Sequence, residues 1–468
     1  MGARSRNRRV SRERSRARAK RRRRDGVGEP VDLGRITARR VGGEREGEAG
    51  GSGEARHRLL DIGARAEPAA PLQWFNPGWL VVLASVLLAA LGIYGVSLSG
   101  GLDGVSGRLP TDGLVFKQTV FLGLGLVACG VAAAPHFKLF ARLTPALVAV
   151  TLVLLVFVLI PFVPESIVTP RNGARRWISL GFTDVQPSEL AKVVFVFTAA
   201  LYLRHRTNHR TLLGLTAPAL IAFVPVALIL VEPDLGTALL FFPVLFAMLL
   251  AAGAKLAHLL STAALGGAFA VLIVAASLFF AQRDDYPLLR PHQVERIQAV
   301  LDQFSDEPEL HIQERGFQGY KARTLIGAGG RAGHEATRSR AFIEFSRLPE
   351  GHNDMIFAVI VNRFGLLGAL AIIASYLLWF VGAVAVAGLC KDPFGRLIAV
   401  GFAALILTQA AINIGMTLGI LPITGMTLPF VSYGGSSLLT VFAMAGLVLN
   451  VGLRRPEKLY RPSFEFGE

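Results

Sequence analysis

From Trp79 onward the chain alternates between long apolar runs and short polar punctuation. The runs have the length of a bilayer crossing, about twenty residues, rather than the shorter amphipathic stripe of a soluble helix. They fall at 79–97, 114–134, 143–163, 187–204, 212–231, 235–252, 257–281, 358–387, 397–418 and 437–453. This pattern predicts an all-α, polytopic integral membrane protein of about ten transmembrane helices, with a large loop at 282–357 between spans seven and eight. Residues 1–72 show no apolar periodicity and are rich in Arg, Gly, Glu and Ser, a composition that cannot bury enough surface to offset ordering. They are expected to form a disordered Arg-rich tail, followed by a membrane domain over 73–456 and a short tail over 457–468. The first tail lacks the apolar segment of a cleaved signal peptide.

Charge then orients the bundle. The formal net charge is +16, but residues 1–24 hold thirteen Arg or Lys and one Glu, so most of the excess sits in one tail and no specific nucleic-acid partner is expected. With that tail cytoplasmic, the connections 135–142, 205–211, 253–256, 388–396 and the segment from Arg454 are inside, short and mostly basic, as the positive-inside rule requires. Both termini are then cytoplasmic, and 164–186, 282–357 and 419–436 face outward. The two cysteines, Cys129 and Cys390, make neither a disulfide framework nor a thiolate metal site.

The chemistry-bearing residues crowd onto the outer connections. Leu348-Pro-Glu-Gly-His-Asn-Asp-Met-Ile-Phe357 puts Asp354 where a polar loop meets an apolar run, either as a helix N-cap or as a functional carboxylate. Arg175 and Arg176 lie in Arg171-Asn-Gly-Ala-Arg-Arg-Trp-Ile178, and Glu189 and Lys192 lie three apart in Gln186-Pro-Ser-Glu-Leu-Ala-Lys192, sharing a helix face. The last two form a structural ion pair, or Lys192, oriented by Glu189, joins Arg175 and Arg176 in offering positive charge to an anion. Glu232-Pro-Asp-Leu-Gly-Thr237 reads first as a tight turn with Asp234 capping the next helix, and second as a divalent-cation site of hard oxygen ligands. Thr424 to Ser437, rich in Gly and Ser, reads as a re-entrant or cavity-lining element. The glycines at 327, 329 and 330 read as a flexible loop in preference to a phosphate cradle. His334 and His352 read as surface residues rather than metal ligands, with His352 placed to tune Asp354.

Together these stretches, with Leu289-Arg-Pro-His-Gln-Val-Glu-Arg296, Ile326-Gly-Ala-Gly-Gly330 and Leu428-Pro-Phe-Val-Ser-Tyr-Gly-Gly-Ser436, resemble the SEDS family of the RodA/FtsW type, from Trp79 to Leu453. That resemblance implies a peptidoglycan glycosyltransferase that polymerises lipid II, the undecaprenyl-diphosphate-linked disaccharide-pentapeptide, at the outer face of the cytoplasmic membrane. It implies Asp354 as the base, with Met355 where the family usually has Phe. It marks Glu189, Lys192 and Asp234 as cavity residues and implies a class B penicillin-binding protein as partner; with the readings above, Arg175, Arg176, Glu189, Lys192, Ser432 and Tyr433 are the expected substrate-binding residues, and a divalent cation (Mg or Mn) is expected near Asp234. The chain departs from the family at Asn362 and Arg363, where two acids are usual, at Lys321-Ala322, where a polar pair is usual, and at Arg331-Ala-Gly-His334. A lipid-precursor flippase and a non-catalytic scaffold of a cell-wall synthesis complex are the alternatives. Leu421-Pro-Ile-Thr-Gly425 leans to the elongation side of the family over the division side.

Overall fold

The computed structural model describes residues 72–99, 111–171, 174–181, 183–281 and 317–455. The predicted tails, and the Leu289–Arg296 stretch, lie outside the described residues. Helices stand at all ten predicted spans: α1 (Gly78–Ser99), α2 (Thr111–Ala133), α3 (Lys138–Leu159), α4 (Pro187–Leu203), α5 (Thr216–Val231), α6 (Leu235–Ala251), α7 (Leu256–Ala281), α10 (Ile356–Leu389), α11 (Pro393–Thr417) and α12 (Gly435–Leu453). Two further helices, α8 (Phe317–Gly329) and α9 (Ala336–Ser346), occupy the end of the long loop. Eight helices among the described residues are long and apolar enough to cross a membrane. The two shorter ones, α4 and α6, have 17 residues each, the lower limit for a span.

These helices are apolar on nearly every face, as lipid on one side and protein on the other demand. Helices α11 and α12 lie at the centre and α7 at the periphery. Close approach is bought by small residues: a Cβ at Gly446 of α12 would stand 2.2 Å from the Cys129 carbonyl oxygen of α2. Polar anchors hold the crossing helices in register. Trp379 Nε1 of α10 donates to Ser85 Oγ of α1 at 3.0 Å, and Asn450 Nδ2 of α12 donates to Ala132 O at 2.8 Å. Each satisfies a group that hydrocarbon would leave bare.

The connections that the charge pattern assigns to the outer face are more ordered than their composition predicts. Between α3 and α4 lies a small antiparallel sheet in the order β1 (Val168–Arg171), β2 (Ala174–Ser179), β3 (Asp184–Val185), with Val168 opposite Ile178 and Ile178 opposite Val185. The glycines at 327 and 329 are neither a flexible loop nor a phosphate cradle: they belong to α8, and Gly330 closes it with a φ of +54°.

Candidate active site

Asp354 lies just before α10 and is 6% exposed. It does not cap that helix: Met355 occupies the cap position, with no side-chain cap hydrogen bond. Instead its backbone is fixed from α11. Asn413 Nδ2 of α11 donates to Asp354 O at 2.8 Å and to Met426 O at 2.6 Å. Gln318 Nε2 of α8 stands 3.4 and 3.5 Å from the two carboxylate oxygens. The Gly- and Ser-rich segment wraps this point: Ser432 Oγ donates to Asn353 O at 2.6 Å and accepts from Leu428 N at 2.7 Å, and Tyr433 N donates to His352 O at 2.9 Å. Tyr433 and His352 meet edge to face, ring centroids 5.7 Å apart. Gln118 of α2 ties the same segment from the other side, donating to Ser432 O at 3.1 Å. Irregular backbone is tolerated here because side chains from three helices satisfy it.

The buried pair sits deeper in the bundle. Lys192 Nζ is 2.8 Å from Glu189 Oε1 and donates to Gln409 Oε1 at 3.1 Å. Glu189 Oε2 is buried with no hydrogen-bond partner. Gln409 Nε2 passes the connection on to Thr427 O at 3.0 Å. Gln409 and Asn413 are four apart on α11, one face of one helix, so that face links the Lys192 pair to the backbone of Asp354.

A third cluster lies at the α5–α6 turn. Asp234 caps α6, accepting from Thr237 N at 3.1 Å and Thr237 Oγ1 at 2.9 Å. Gln186 Nε2 donates to it at 3.1 Å, and Arg176 Nη1 stands at 3.9 Å. Arg176 also donates to the carbonyls of Glu232, at 2.8 Å, and Pro233. Arg175 is not brought here: successive residues of a strand point to opposite faces, and its guanidinium donates to Pro161 O at 2.9 Å and to Val163 O, at the end of α3. Glu232 is 1% exposed with both carboxylate oxygens unpartnered. Burial and the neighbouring Asp234 push its carboxyl up to about 8, against the pull of Arg176.

Asp234 does not fit the divalent cation that the sequence offers it. Its lone pairs are taken by Thr237 and Gln186, with Arg176 beside them, and among the described residues no three His, Cys, Asp or Glu side chains gather as a metal would need. It is the first of the two sequence alternatives, the capping turn, that the geometry matches.

Gln118, Gln318, Gln409 and Asn413 were not foreseen as site residues. Gln409 and Asn413 did carry a signal, two amides on one face of an apolar span, which normally face protein rather than lipid.

The FtsW/RodA/SpoVE family model, described as "cell cycle protein", matches residues 79–456. The chain is 31% identical over 384 residues to stage V sporulation protein E of Bacillus subtilis, covering 80% of this chain and 97% of that one. It is 33% identical over 427 residues to a probable peptidoglycan glycosyltransferase FtsW of Alkalilimnicola ehrlichii, covering 86% and 96%. Among solved structures it is similar to a chain of a peptidoglycan synthase complex that coordinates polymerization and crosslinking, with a TM-score of 0.65, 30% identity and coverage of 81% and 98%. It is also similar to the rod shape determining protein RodA of Thermus thermophilus, with a TM-score of 0.57, 27% identity and coverage of 82% and 99%. The match runs through the whole bundle and every outer cluster described above, and the chain is therefore a multi-pass membrane protein belonging to the SEDS (FtsW/RodA/SpoVE) family.

Proposed function

We propose that this peptidoglycan glycosyltransferase polymerises lipid II at the outer face of the cytoplasmic membrane by inverting glycosyl transfer, with Asp354 as general base. Both termini are then cytoplasmic, and a class B penicillin-binding protein crosslinks the strands it makes. The observation that carries the proposal is the placement of Asp354: a buried carboxylate, not consumed as a helix cap, whose backbone is fixed by Asn413 on the α11 face that also binds Lys192 through Gln409.

The chemistry follows from that placement. A sugar hydroxyl of the acceptor attacks the anomeric carbon of the donor; the carbon–oxygen bond to the diphosphate breaks as the new glycosidic bond forms. The hydroxyl proton passes to a carboxylate oxygen of Asp354. The diphosphate departs with the bonding electrons and is stabilised by fixed positive charge. Lys192 supplies that charge, oriented by Glu189 and Gln409. Arg176 contributes from the α5–α6 turn, while Arg175 is engaged elsewhere. Ser432 and Tyr433 shape the rim through the backbone around Asn353 and His352. No step here requires a second carboxylic acid of the kind used in glycoside hydrolysis.

The test is polymerisation of purified lipid II by the full chain in detergent or proteoliposomes, wild type against Asp354→Asn, with glycan strands resolved on a gel. Strands from wild type and none from the variant support the proposal. Translocation of lipid II without strands would replace it with the flippase alternative, and neither activity with retained partner binding would favour a scaffold.

A further inference from the structure

Helix α10 is broken nine residues in. Gly365 has φ +61° and ψ −149°, a region open in practice to glycine alone. The break separates the short segment 356–364, which follows Asp354 directly, from the long span beyond it. The turn after α8 packs onto the break, backbone against backbone. Leu366 N donates to Gly330 O at 3.1 Å and Arg331 O at 3.2 Å, and His334 N donates to Arg363 O at 3.1 Å. The approach is too close for side chains. A Cβ on Gly365 would stand 2.5 Å from Arg331 O, one on Gly333 2.2 Å from Arg363 O, and one on Gly329 2.4 Å from Val361 O.

Two side chains, Asn362 and Arg363, complete the joint. Asn362, 0% exposed, accepts from Ser339 Oγ of α9 at 2.8 Å and donates to Leu325 O of α8 at 3.0 Å. Arg363 Nη1 donates to His334 O at 2.7 Å, and its Nε donates to Tyr94 Oη of α1 at 3.0 Å. The guanidinium also lies 4.9 Å from the Phe364 ring centroid. Four helices are thus fastened together at one end of the segment 356–364, and Asn413 holds the Asp354 carbonyl at the other.

We propose that Gly329, Gly333 and Gly365, with Asn362 and Arg363, form a clasp that holds the 356–364 segment as a rigid strut and so aims Asp354 at the acceptor. All five are positioning residues; none touches substrate. The inference rests on the polymerase function proposed above. A displaced base loses rate rather than affinity, because orientation counts most in the transition state.

The experiment uses the full chain with Gly365→Ala, Arg363→Met, Arg363→Lys and Tyr94→Phe, and three readouts: kcat and KM for lipid II polymerisation, thermal unfolding, and hydrogen exchange of the amides 356–361. Gly365→Ala is expected to lower kcat about 100-fold, the scale of an ångström's misplacement. Arg363→Met is expected to lower it about tenfold, with part of the loss recovered by Arg363→Lys, which keeps the charge but loses the guanidinium fork. In each case KM stays within about twofold and exchange at 356–361 accelerates. Wild-type kcat and exchange in Arg363→Met and Tyr94→Phe would overturn the clasp, as would a loss that enters through KM or only through the folded fraction. Should Gly365→Ala fail to fold, the other three variants decide. Should the wild type make no polymer, the polymerase function falls, and the exchange measurement alone still decides whether the clasp exists.

Discussion

Asp234 and Asp354 are buried to the same degree, 5% and 6% exposed, and both stand at the N-terminal end of a helix. They are nevertheless held in opposite ways. Asp234 spends its oxygens: the Thr237 amide and hydroxyl and the Gln186 amide lie 2.9–3.1 Å away, and Arg176 adds its charge at 3.9 Å. A carboxylate has about four lone-pair sites, and one so engaged has little left for an incoming proton. Asp354 caps no helix: Met355 holds the cap position of α10, Asn413 holds the Asp354 carbonyl at 2.8 Å, and Gln318 stands at 3.4–3.5 Å from the carboxylate. Burial alone does not make a base. What matters is whether the fold uses the carboxylate as a helix cap.

The sharpest way to break that comparison is to neutralise each carboxylate without changing its size. Asp354→Asn should lower polymerisation by about 10²–10⁴-fold, the range a general base supplies, with the thermal unfolding midpoint unchanged. Asp234→Asn should retain activity within about tenfold, because only a positioning contact is lost, and should cost less than about 1 kcal/mol of stability, because Asn caps a helix about as well as Asp. Equal losses of activity from the two, measured on the same lipid II preparation, would show that the distinction between capping and reacting carboxylates is false.

Next in size is the buried pair. Lys192→Met leaves the Glu189 carboxylate without its partner and should destabilise the bundle by about 3–5 kcal/mol, read from unfolding in detergent. Glu189→Leu added to Lys192→Met should recover much of that stability, since an apolar pair of similar volume avoids the desolvation cost. Polymerisation should not recover, because the positive charge is still missing. Recovery of both together would make Lys192 a structural residue only.

The ten spans were legible because lipid imposes one requirement, length and apolarity, that composition states directly; the helices at Gly78–Ser99 and Gly435–Leu453 start and stop within two residues of the predicted runs. The pairing of Glu189 with Lys192 was equally legible, since a spacing of three on a helix is a contact. Arg175 and Arg176 were not separable until the β2 strand turned one inward and the other toward α3. The glycines near 330 were misjudged for a related reason. Of the three at 327, 329 and 330, Gly329 is the one met closely, by the Val361 backbone more than thirty residues on, while nothing stands within 4 Å of a Cβ at the other two, and no local pattern reports a distant backbone. Asn362 and Arg363 looked like losses of acidic residues; the structure gives them partners on α1, α8 and α9.

Glu232 is a third kind of buried carboxyl, with the smallest expected effect on activity. Neither of its oxygens has a partner, and its carboxyl is pushed up to about 8 from the ordinary 4.5. The folded chain therefore keeps a proton that the unfolded chain has released between those two values. The contribution of Glu232 to stability is greatest below about pH 4.5, declines as pH rises toward about 8, and is level beyond. Glu232→Gln cannot lose a proton, so its unfolding midpoint should match the wild type in acid and exceed it above pH 8, while polymerisation near neutrality changes less than twofold, within the range of roughly 1 kcal/mol seen for substitutions away from reacting groups. Parallel pH profiles for the two proteins would mean that Glu232 is already ionised in the fold, satisfied by Arg176, and that Arg176 rather than burial governs the turn.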